Sequence, residues 1–308
     1  MIVSKIKKLK DELHKAIIGQ EEMIDSIIIG LLCDGHILIE GVPGLAKTST
    51  INALSKAINL ESKRIQFTPD LLPSDIIGAQ IYNPQNHTFS IKKGALFTNL
   101  LLADEINRAP AKVQSALLEV MQERQITIGE ESFSLEPPFL VMATQNPIEQ
   151  EGVYALPEAQ LDRFMMKVVV GYNSEDEELE IMRNVSNKSF EEINPVFNID
   201  ELFQLQEDVE KVHIDSDVEK YIIKLILATR EEHQDIMFGV SPRASIDLYK
   251  ASKAMAFIRG KDFVTPADIG FVIHSVLRHR VVLSYEARAK GITTDKIISD
   301  IIAMVPIP

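Results

Sequence analysis

The sequence predicts an α/β fold with a parallel sheet, followed by a helical C-terminal region. Three observations support this prediction. Apolar segments of strand length alternate with helical patterns up to about residue 170. One of these strands runs into a glycine-rich loop, and another ends in two adjacent carboxylates. From residue 199 onward the apolar residues recur at helical spacing, and no strong strand is evident.

Composition limits the classes of protein to consider. The chain has 308 residues, 45% of them hydrophobic, which suits two modest domains; we predict an α/β core over residues 1–194 and a helical domain over residues 195–308. The formal net charge of −13 argues against stable binding to nucleic acid or to anionic membranes through bulk electrostatics. Cys33 is the only cysteine, which excludes a disulfide scaffold within one chain. The most apolar window, residues 27–39, is too short for membrane insertion, so we expect a soluble, cytoplasmic protein.

The first elements of the chain are two helices and a strand. Residues 1–15 read as a charged amphipathic helix, and the glycine at position 19 precedes a second apolar helix over residues 21–32. A short apolar strand at residues 37–39 follows. It leads into the loop of residues 41–48, read GVPGLAKT, and a helix of small and apolar residues runs on to about residue 58.

The loop over residues 41–48 has the composition of a phosphate-binding loop. Glycines let backbone N–H groups turn toward phosphate, the following helix adds its positive end, Lys47 supplies a charge, and Thr48 offers a hydroxyl to Mg²⁺. The general pattern expects glycine where Ala46 stands, and alanine resists a positive φ. An ordinary glycine-rich turn between strand and helix is the alternative. The candidate nucleotide-binding residues are Gly41, Pro43, Gly44, Leu45, Ala46, Lys47, Thr48 and Ser49.

A second strand of interest ends in Asp104 and Glu105. It follows a short strand at residues 63–67, a turn at 68–70 and a hairpin over residues 80–91. A continuous apolar run that ends in two carboxylates is typical of a buried parallel strand beside a ligand crevice. Asp104 could bind Mg²⁺ directly or through water, and Glu105 could polarise an attacking water. The alternative is a strand that ends in two solvated acids.

The remaining elements of the first domain place one amide at a strand end. A helix is predicted over residues 110–123, a second hairpin over 126–135, and a strand over 139–143 that delivers Asn146. Asn146 could hold the attacking water or a γ-phosphate oxygen, although asparagine before proline is also common in turns. The run of residues 165–170 reads as a final buried strand.

The C-terminal third reads as helical. An acidic helix from residue 174 to about 184 and a polar stretch through residue 195 mark the predicted boundary. Residues 216–231 carry one apolar helical face. Ser241 and Thr265 each precede a proline, so we expect each hydroxyl to cap a new helix.

Six segments, taken in order, resemble the AAA+ ATPases and, within them, closely resemble the MoxR family. The alanine before the lysine of the loop is what MoxR proteins usually carry, and the six segments extend over nearly the whole chain. They are residues 41–48 (GVPGLAKT), 101–110 (LLADEINRAP), 143–152 (ATQNPIEQEG), 156–164 (LPEAQLDRF), 241–243 (SPR) and 276–280 (VLRHR).

This resemblance implies the architecture and the roles of further residues. It implies an αβα nucleotide-binding core with a five-stranded parallel sheet, an all-helical lid, and a homo-oligomeric ring, commonly a hexamer, with ATP and Mg²⁺ at the subunit interfaces. By the same resemblance Asn146 is sensor 1, Arg163 is an arginine finger and Arg243 is sensor 2. Gly19 and Gln20 belong to the loop that contacts adenine. The two hairpins resemble inserts that face the ring pore or partners.

The two arginines each have an alternative interpretation. Arg163 could be an intramolecular partner of Asp162 or Glu158. Arg243 would sit at a helix N-terminus, which is unfavourable for a cation unless an anion lies nearby. Whether Arg243 serves its own site or a neighbour's is left open. No cysteine or carboxylate pattern accompanies the histidines, so we interpret five of them as structural or solvated residues and not as metal ligands. These are His36, His87, His213, His274 and His279.

The function expected from these motifs and the resemblance is Mg²⁺-dependent ATP hydrolysis of the MoxR type, coupled to chaperone-like remodelling or maturation of a protein partner. The resemblance also implies a client with a von Willebrand factor A domain. One alternative is the motor subunit of a chelatase-like or nucleic-acid-remodelling machine. Another is an ATP-binding switch or scaffold with little turnover, which the presence of both Asp104 and Glu105 disfavours.

Overall fold

The computed structural model describes residues 2–42, 47–147, 153–187 and 192–308. The strands, in chain order, are β1 (Ile37–Gly41), β2 (Ser62–Gln66), β3 (Gly78–Asn83), β4 (Thr88–Lys93), β5 (Leu100–Asp104), β6 (Gln125–Ile128), β7 (Glu131–Ser134), β8 (Leu140–Gln145), β9 (Met166–Val170), β10 (Ile236–Phe238) and β11 (Val282–Leu283). The helices are α1 (Ile2–His14), α2 (Glu21–Leu32), α3 (Lys47–Ile58), α4 (Pro73–Ile77), α5 (Ala111–Glu123), α6 (Glu158–Leu161), α7 (Glu175–Asn187), α8 (Ile199–Glu210), α9 (Ser216–Ala228), α10 (Pro242–Ile258), α11 (Pro266–Leu277), α12 (Tyr285–Ala289) and α13 (Thr294–Met304).

A five-stranded sheet forms the centre of the first domain, in the order β2-β5-β8-β1-β9. Every neighbouring pair in this sheet is parallel. The C-terminal ends of all five strands therefore lie at one edge, which we call the carboxyl edge, and their starts lie at the opposite, amino edge. The predicted α/β fold with a five-stranded parallel sheet is confirmed.

The sheet is buried on both faces. Ile37 and Ile39 point into one apolar cluster, built with α1, α2, α3 and the C-terminal helices. Leu38 points into a second cluster, built with α4 and α5. In β5 the same alternation places Leu100 in the first cluster and Leu101 in the second. Burial on both faces explains why these strands read as continuous apolar runs rather than as alternating patterns.

The prediction of a fully buried final strand is wrong in part. The strand β9 lies at the edge of the sheet, because only β1 pairs with it. Val169 is 46% exposed and Lys167 forms an ion pair with Glu40 at 2.7 Å. An edge position depends on the order of the strands in space, which an apolar run does not report.

The two predicted hairpins are confirmed as separate two-stranded sheets, β3 with β4 and β6 with β7. The short helix α4 was not expected from the sequence pattern. Pro73 stands at its first turn, and the carboxylate of Asp75 accepts the backbone N–H of Leu72 at 2.8 Å. These are ordinary features of a helix start, although five residues are too few to show a helical period.

The C-terminal region, which we call the lid, comprises α8 to α13 with β10 and β11. Helices start at Pro242 and Pro266, as predicted. The hydroxyl of Ser241, however, does not cap α10; it donates to both carboxylate oxygens of Asp162, each at 2.9 Å. The expected capping role of Ser241 is therefore wrong, because a carboxylate from the first domain competes for the hydroxyl. The lid also contains one short antiparallel pair, β10 with β11.

The lid and the first domain share one buried apolar cluster. Leu9 of α1, Ile37 of β1 and Leu202 of α8 all belong to it. The division at residue 194 stays a prediction, since the cluster continues across it. In the portion of the chain that the structure covers, no helix has the length and apolar character needed to cross a membrane.

His36 is a buried structural residue, as predicted. Its Nδ1 accepts the backbone N–H of Val141 at 3.0 Å, so the proton sits on Nε2, which donates to the carbonyl of Met121 at 3.1 Å. Burial lowers the pKa of His36 to about 3. The ring therefore joins β8 to the end of α5 in its neutral form.

The substitution His36→Gln tests this assignment. Glutamine offers a donor and an acceptor but takes up no proton. Below a pH of about 6.5 the unfolded wild type binds a proton at residue 36, whereas the folded protein does not. As the pH is lowered, the free energy of unfolding of the wild type should therefore fall relative to that of the variant, by up to about 1.4 kcal/mol per pH unit. Urea unfolding at several pH values between about 7 and 4.5 measures the two slopes. Equal slopes would contradict a buried neutral ring.

Candidate functional site

The carboxyl edge of the sheet brings together three of the predicted site residues. Gly41 ends β1, Asp104 ends β5, and Asn146 follows β8. Because β8 lies between β1 and β5, Asn146 stands between the other two, and it is 7% exposed. Sequence alone placed each residue at a strand end; the sheet order makes them neighbours.

Lys47 faces the same place from the first turn of α3. Its Nζ donates to the carbonyl of Gly41 at 2.6 Å. Burial lowers the pKa of Lys47, while the charges of Asp104 and Glu105 act to raise it. The ammonium therefore lies at the carboxyl edge, the edge at which Asp104 ends β5. Thr48 is half-buried and Ser49 is exposed in the same helical turn; the candidate residues Pro43, Gly44, Leu45 and Ala46 lie outside the described residues.

Asp104 has a partner on each carboxylate oxygen. Oδ1 accepts from the hydroxyl of Thr144 at 2.6 Å. Oδ2 forms an ion pair with Arg64 of β2, 2.7 Å from Nη2 and 3.2 Å from Nε. The same Nη2 also donates to Oε1 of Gln66 at 2.9 Å.

Glu105 adopts a backbone conformation that side chains disfavour. Its φ is 56° and its ψ is 50°, in the left-handed region, which costs about 1–2 kcal/mol for a residue other than glycine. Its backbone N–H donates to the Thr144 hydroxyl at 2.8 Å. Its Oε2 accepts from Nε2 of Gln66 at 2.8 Å and from Nη1 of Arg108 at 3.0 Å. Gln66 and Arg108 therefore orient the carboxylate, while Thr144 holds the backbone of Glu105.

The orientation of the Gln66 amide follows from the charges on its two sides. A guanidinium has only donors, so the amide oxygen must face Arg64. The amide N–H₂ then necessarily faces the carboxylate of Glu105. The interaction between Arg64 and Gln66 therefore determines that Glu105 faces the donor end of the Gln66 amide.

Sequence reasoning missed the residues that hold the two acids: Arg64, Gln66, Arg108 and Thr144. One signal could have found the first two. Residues 64 and 66 are two apart on a strand, so their side chains share a face. Two polar residues on one face of a strand in a parallel sheet indicate a function at its carboxyl edge. Thr144, 1% exposed, carried no such signal.

The residues at this edge fit a bound Mg²⁺. The hydroxyl of Thr48 and the carboxylate of Asp104 supply the oxygen ligands that this ion prefers. The Oδ2 atom of Asp104 already faces a cation, the guanidinium of Arg64. Among the described residues, no group of three or more histidine, cysteine, aspartate or glutamate side chains is arranged to hold a metal, so the remaining ligands would have to be phosphate oxygens and water.

The loop with Gly19 and Gln20 also reaches the carboxyl edge. Both residues have left-handed backbones, with φ of 69° and 58°. The side chain of Gln20 donates to the carbonyl of Gly171 at 3.0 Å and to Oδ1 of Asn173 at 2.5 Å. Gly171 directly follows β9, whose last residue pairs with Gly41. The loop therefore lies beside the strand that leads to Lys47.

Arg163 and Arg243 lie at the opposite, amino edge. The backbone N–H of Met165 donates to the carbonyl of His36, which precedes β1, at 2.8 Å. Five residues of β1 separate this level from Gly41, about 16 Å along the strand. Arg243 donates from Nη1 to the carbonyl of Asp162 at 3.2 Å. The structure thus does not bring either arginine to the Lys47 of the same chain.

The intramolecular alternative for Arg163 finds no support. Asp162 pairs with Arg280 at 2.8 Å, and Glu158 lies 3.9 Å from Arg288. The half-buried side chain of Arg163 makes no ion pair or hydrogen bond with any residue for which the structure gives a position. Arg163 stays a candidate for an interaction outside its own chain.

Comparison with known proteins agrees with this geometry. The sequence profile of the ATPase family associated with various cellular activities (AAA) matches residues 36–166, and that of the AAA lid domain matches residues 228–301. The chaperone MoxR1 of Mycobacterium tuberculosis is 45% identical over 305 residues, which cover 96% of this chain and 81% of MoxR1. The uncharacterized protein YeaC of Bacillus subtilis is 42% identical over 303 residues, covering 98% and 94%. A crystal structure of a candidate ATPase from Cytophaga hutchinsonii superimposes with a TM-score of 0.93 at 50% identity, covering 100% of this chain and 96% of that one.

Thr144→Val tests whether the Thr144 hydroxyl holds the two acids. Valine leaves the N–H of Glu105 without its acceptor, so we expect the free energy of unfolding to fall by about 1–3 kcal/mol. We also expect ATP turnover to fall by about tenfold or more, because the Glu105 backbone would shift. A tenfold loss of rate corresponds to an activation free energy that is higher by about 1.4 kcal/mol. Urea unfolding and phosphate release measure the two quantities.

Thr229→Val is the matched control. Thr229 is fully buried in the lid, where its hydroxyl donates to the carbonyl of Ile226 at 2.7 Å and accepts the N–H of Val240 at 3.2 Å. The free energy of unfolding of Thr229→Val should fall by an amount similar to that of Thr144→Val. Its turnover should stay at the wild-type level at a temperature where both variants are folded. Equal turnover in the two variants would contradict the role of Thr144.

Proposed function

Because the chain belongs to the MoxR family of AAA+ ATPases, we propose that it hydrolyses ATP in a Mg²⁺-dependent reaction at the subunit interfaces of a homo-oligomeric ring. The observation that carries this proposal is the grouping of Lys47 with Asp104 and Glu105 at one edge of the sheet. A cation beside two acids at the carboxyl ends of parallel strands is suited to phosphoryl transfer. The proposed reaction is coupled to chaperone-like remodelling or maturation of a protein partner.

Each residue at the carboxyl edge has a proposed part in binding. The ammonium of Lys47 and the start of α3 bind the phosphates, with the loop of residues 41–46 around them. Gly19 and Gln20 contact the base. Thr48 and Asp104 hold Mg²⁺, which when bound offsets the negative charge of the phosphate oxygens. Ser49 lies in the same turn of α3 and supports the loop.

Glu105 and Asn146 have the proposed catalytic parts. The carboxylate of Glu105 accepts a proton from the attacking water, and the amide of Asn146 orients that water or a γ-phosphate oxygen. In the described conformation Gln66 and Arg108 occupy one oxygen of Glu105. At least one of these contacts has to loosen before that oxygen is available to a water.

The arginines at the amino edge support a ring. Arg163 and Arg243 lie about a strand length from their own Lys47, which favours action on a neighbouring subunit's nucleotide. A head-to-tail arrangement that places the amino edge of one subunit against the carboxyl edge of the next forms a ring when the rotation between neighbours closes. We propose a hexamer, with Arg163 as the finger and Arg243 beside it, both acting in trans.

The proposed partner is a protein. The resemblance to the MoxR family implies that this protein carries a von Willebrand factor A domain. A relative at 45% identity is named a chaperone. On the hairpin of β3 and β4, Ile81, Tyr82 and Phe89 are 47%, 48% and 66% exposed and offer an apolar contact surface. A cytoplasmic location, without stable nucleic acid or membrane insertion, stays a prediction.

An ATP-binding switch with little turnover is the second candidate. The observation that favours it is the engagement of Glu105 by Gln66 and Arg108, which would keep the base away from water. The two candidates differ in whether removal of the Glu105 charge changes turnover.

Glu105→Gln should separate these functions. We expect ATP binding and ring assembly to persist while phosphate release falls by about 100-fold or more, because the amide cannot accept the proton of water. Glu119→Gln, at an exposed position of α5, is the control and should keep its turnover. Fluorescent nucleotide binding, sedimentation and phosphate release give the three readouts. Unchanged release in Glu105→Gln would contradict its role as the base.

Mixed rings test the shared site. Lys47→Ala subunits bind no ATP, and Arg163→Ala subunits lack the finger, so each alone should be inactive. In an equal mixture about a quarter of the interfaces join an intact Lys47 to an intact Arg163, and turnover should recover toward that fraction of wild type. Arg163→Ala mixed with the double variant Lys47→Ala/Arg163→Ala is the control that should not recover. No recovery in the first mixture at any ratio would contradict action in trans.

A further inference from the structure

Arg280 joins the lid to the segment that carries Arg163. This segment, residues 162–165, is called the finger segment below. Arg280 follows α11 and its side chain is 1% exposed. Its Nε donates to Oδ1 of Asp162 at 2.8 Å, and its Nη2 donates to the carbonyls of Asp162 at 3.2 Å and Phe164 at 2.8 Å. Residues on both sides of Arg163 are therefore bound to one guanidinium.

Arg280 also donates from Nη1 to the carbonyl of Met165 at 3.4 Å, and its other contacts anchor it within the lid. Nη2 pairs with Oδ2 of Asp247 on α10 at 2.5 Å, and Nη1 donates to the carbonyl of Val276 on α11 at 3.0 Å. Burial raises the pKa of Asp247, and the charge of Arg280 opposes that rise. Every N–H of the guanidinium can thus find an acceptor, which a buried cation requires.

Two further lid residues, Ser241 and Arg243, contact Asp162. The Ser241 hydroxyl donates to the carboxylate of Asp162, and Arg243 donates to its backbone carbonyl. Asp162 thus takes contacts from the start of α10 and from the end of α11. Arg163, the next residue, makes no contact of its own with the described residues that would hold its side chain.

The lid does not depend on Arg280 alone for its attachment to the first domain. Arg278, two residues earlier and 9% exposed, donates to the carbonyl of Lys167 at 3.3 Å and lies 3.8 Å from Glu22 of α2. The hydroxyl of Ser275 also donates to Glu22, at 3.0 Å. Arg278 therefore attaches the lid without touching the finger segment, whereas Arg280 contacts that segment directly.

We propose that Arg280 is a positioning residue for Arg163: it holds the backbone on both sides of Arg163 against the lid, so that the finger side chain is aimed at the nucleotide of the neighbouring subunit. This inference rests on the proposed action of Arg163 in trans. A planar guanidinium that binds several backbone carbonyls and two carboxylates fixes direction as well as distance, which a flexible ammonium does not. Arg280 acts through Arg163 and touches no nucleotide itself.

Arg280→Lys, which keeps the charge and loses the planar fork, tests the inference in mixed rings. Alone, it should lower kcat by about 10- to 100-fold with KM for ATP changed less than about twofold, because a misplaced group costs rate more than binding. Its own Lys47, Asp104 and Glu105 are intact. Mixing it with Lys47→Ala subunits supplies correctly placed fingers, so turnover should recover as far as in the mixture of Arg163→Ala with Lys47→Ala.

Arg278→Lys is the matched control. It weakens a neighbouring contact between lid and first domain and should keep kcat within about twofold. If Arg278→Lys shows the same loss and the same recovery, the effect belongs to lid attachment in general and the assignment to Arg280 is wrong. A second variant, Asp162→Asn, removes the carboxylate that Arg280 and Ser241 contact and keeps the size of the side chain. Asp162→Asn should show the same loss and the same recovery as Arg280→Lys. If thermal unfolding shows that Arg280→Lys does not fold, Asp162→Asn takes its place in the experiment.

The outcomes separate the inference from the function on which it rests. If Arg163→Ala recovers with Lys47→Ala and Arg280→Lys does not, the finger acts in trans, but Arg280 affects its own subunit, and the inference is overturned. If neither mixture recovers, action in trans is wrong and the inference fails with it. Recovery of both mixtures, with no recovery when Arg280→Lys is mixed with the double variant Lys47→Ala/Arg280→Lys, supports it.

Discussion

The parallel alignment of β5, β8 and β1 determines where this chain can present polar side chains. Parallel strands that are buried on both faces can present polar side chains only where they end, and all of these ends lie at one edge. Lys47, Asp104 and Asn146 meet there for this reason. The opposite edge is free to receive the lid, which packs against the segment that leads into β9. A nucleotide-facing edge and a lid-facing edge are thus separated by the length of one strand.

The lid contacts divide between these two edges. Ser275 and Arg278, near the end of α11, contact Glu22, which lies two residues after Gln20 in the loop beside the phosphate-binding strand. Arg280, just beyond the same helix, contacts the finger segment. One helix end is therefore connected both to the first turn of α2 and to the segment that carries Arg163. A displacement of α11 would alter both connections together.

Most helices and strands could be predicted because their signals are local. Apolar period, glycine, and proline at a helix start identified α2 and β1, both hairpins, and the starts of α10 and α11. Two of the errors share one cause, which is that the deciding contact lies far away along the chain. Ser241 contacts Asp162, 79 residues away, instead of capping its own helix. Val169 is exposed because no strand follows β9 in the sheet. No pattern within a short window reports either fact.

The chemical groups at the strand ends could be identified from the sequence, because residue type and strand boundaries are local properties. Lys47 after a glycine-rich loop, two carboxylates after an apolar run, and an amide after another were all evident before any fold was known. How those groups are held and where they face follows from the packing of segments that are distant in the chain. Glu105 depends on Gln66, 39 residues away, and on Thr144, also 39 residues away, for its left-handed backbone and its orientation. Arg163 depends on Arg280, whose contacts with the finger segment span up to 118 residues, because hydrogen bonds between distant segments form only once the sheet and the lid have packed together.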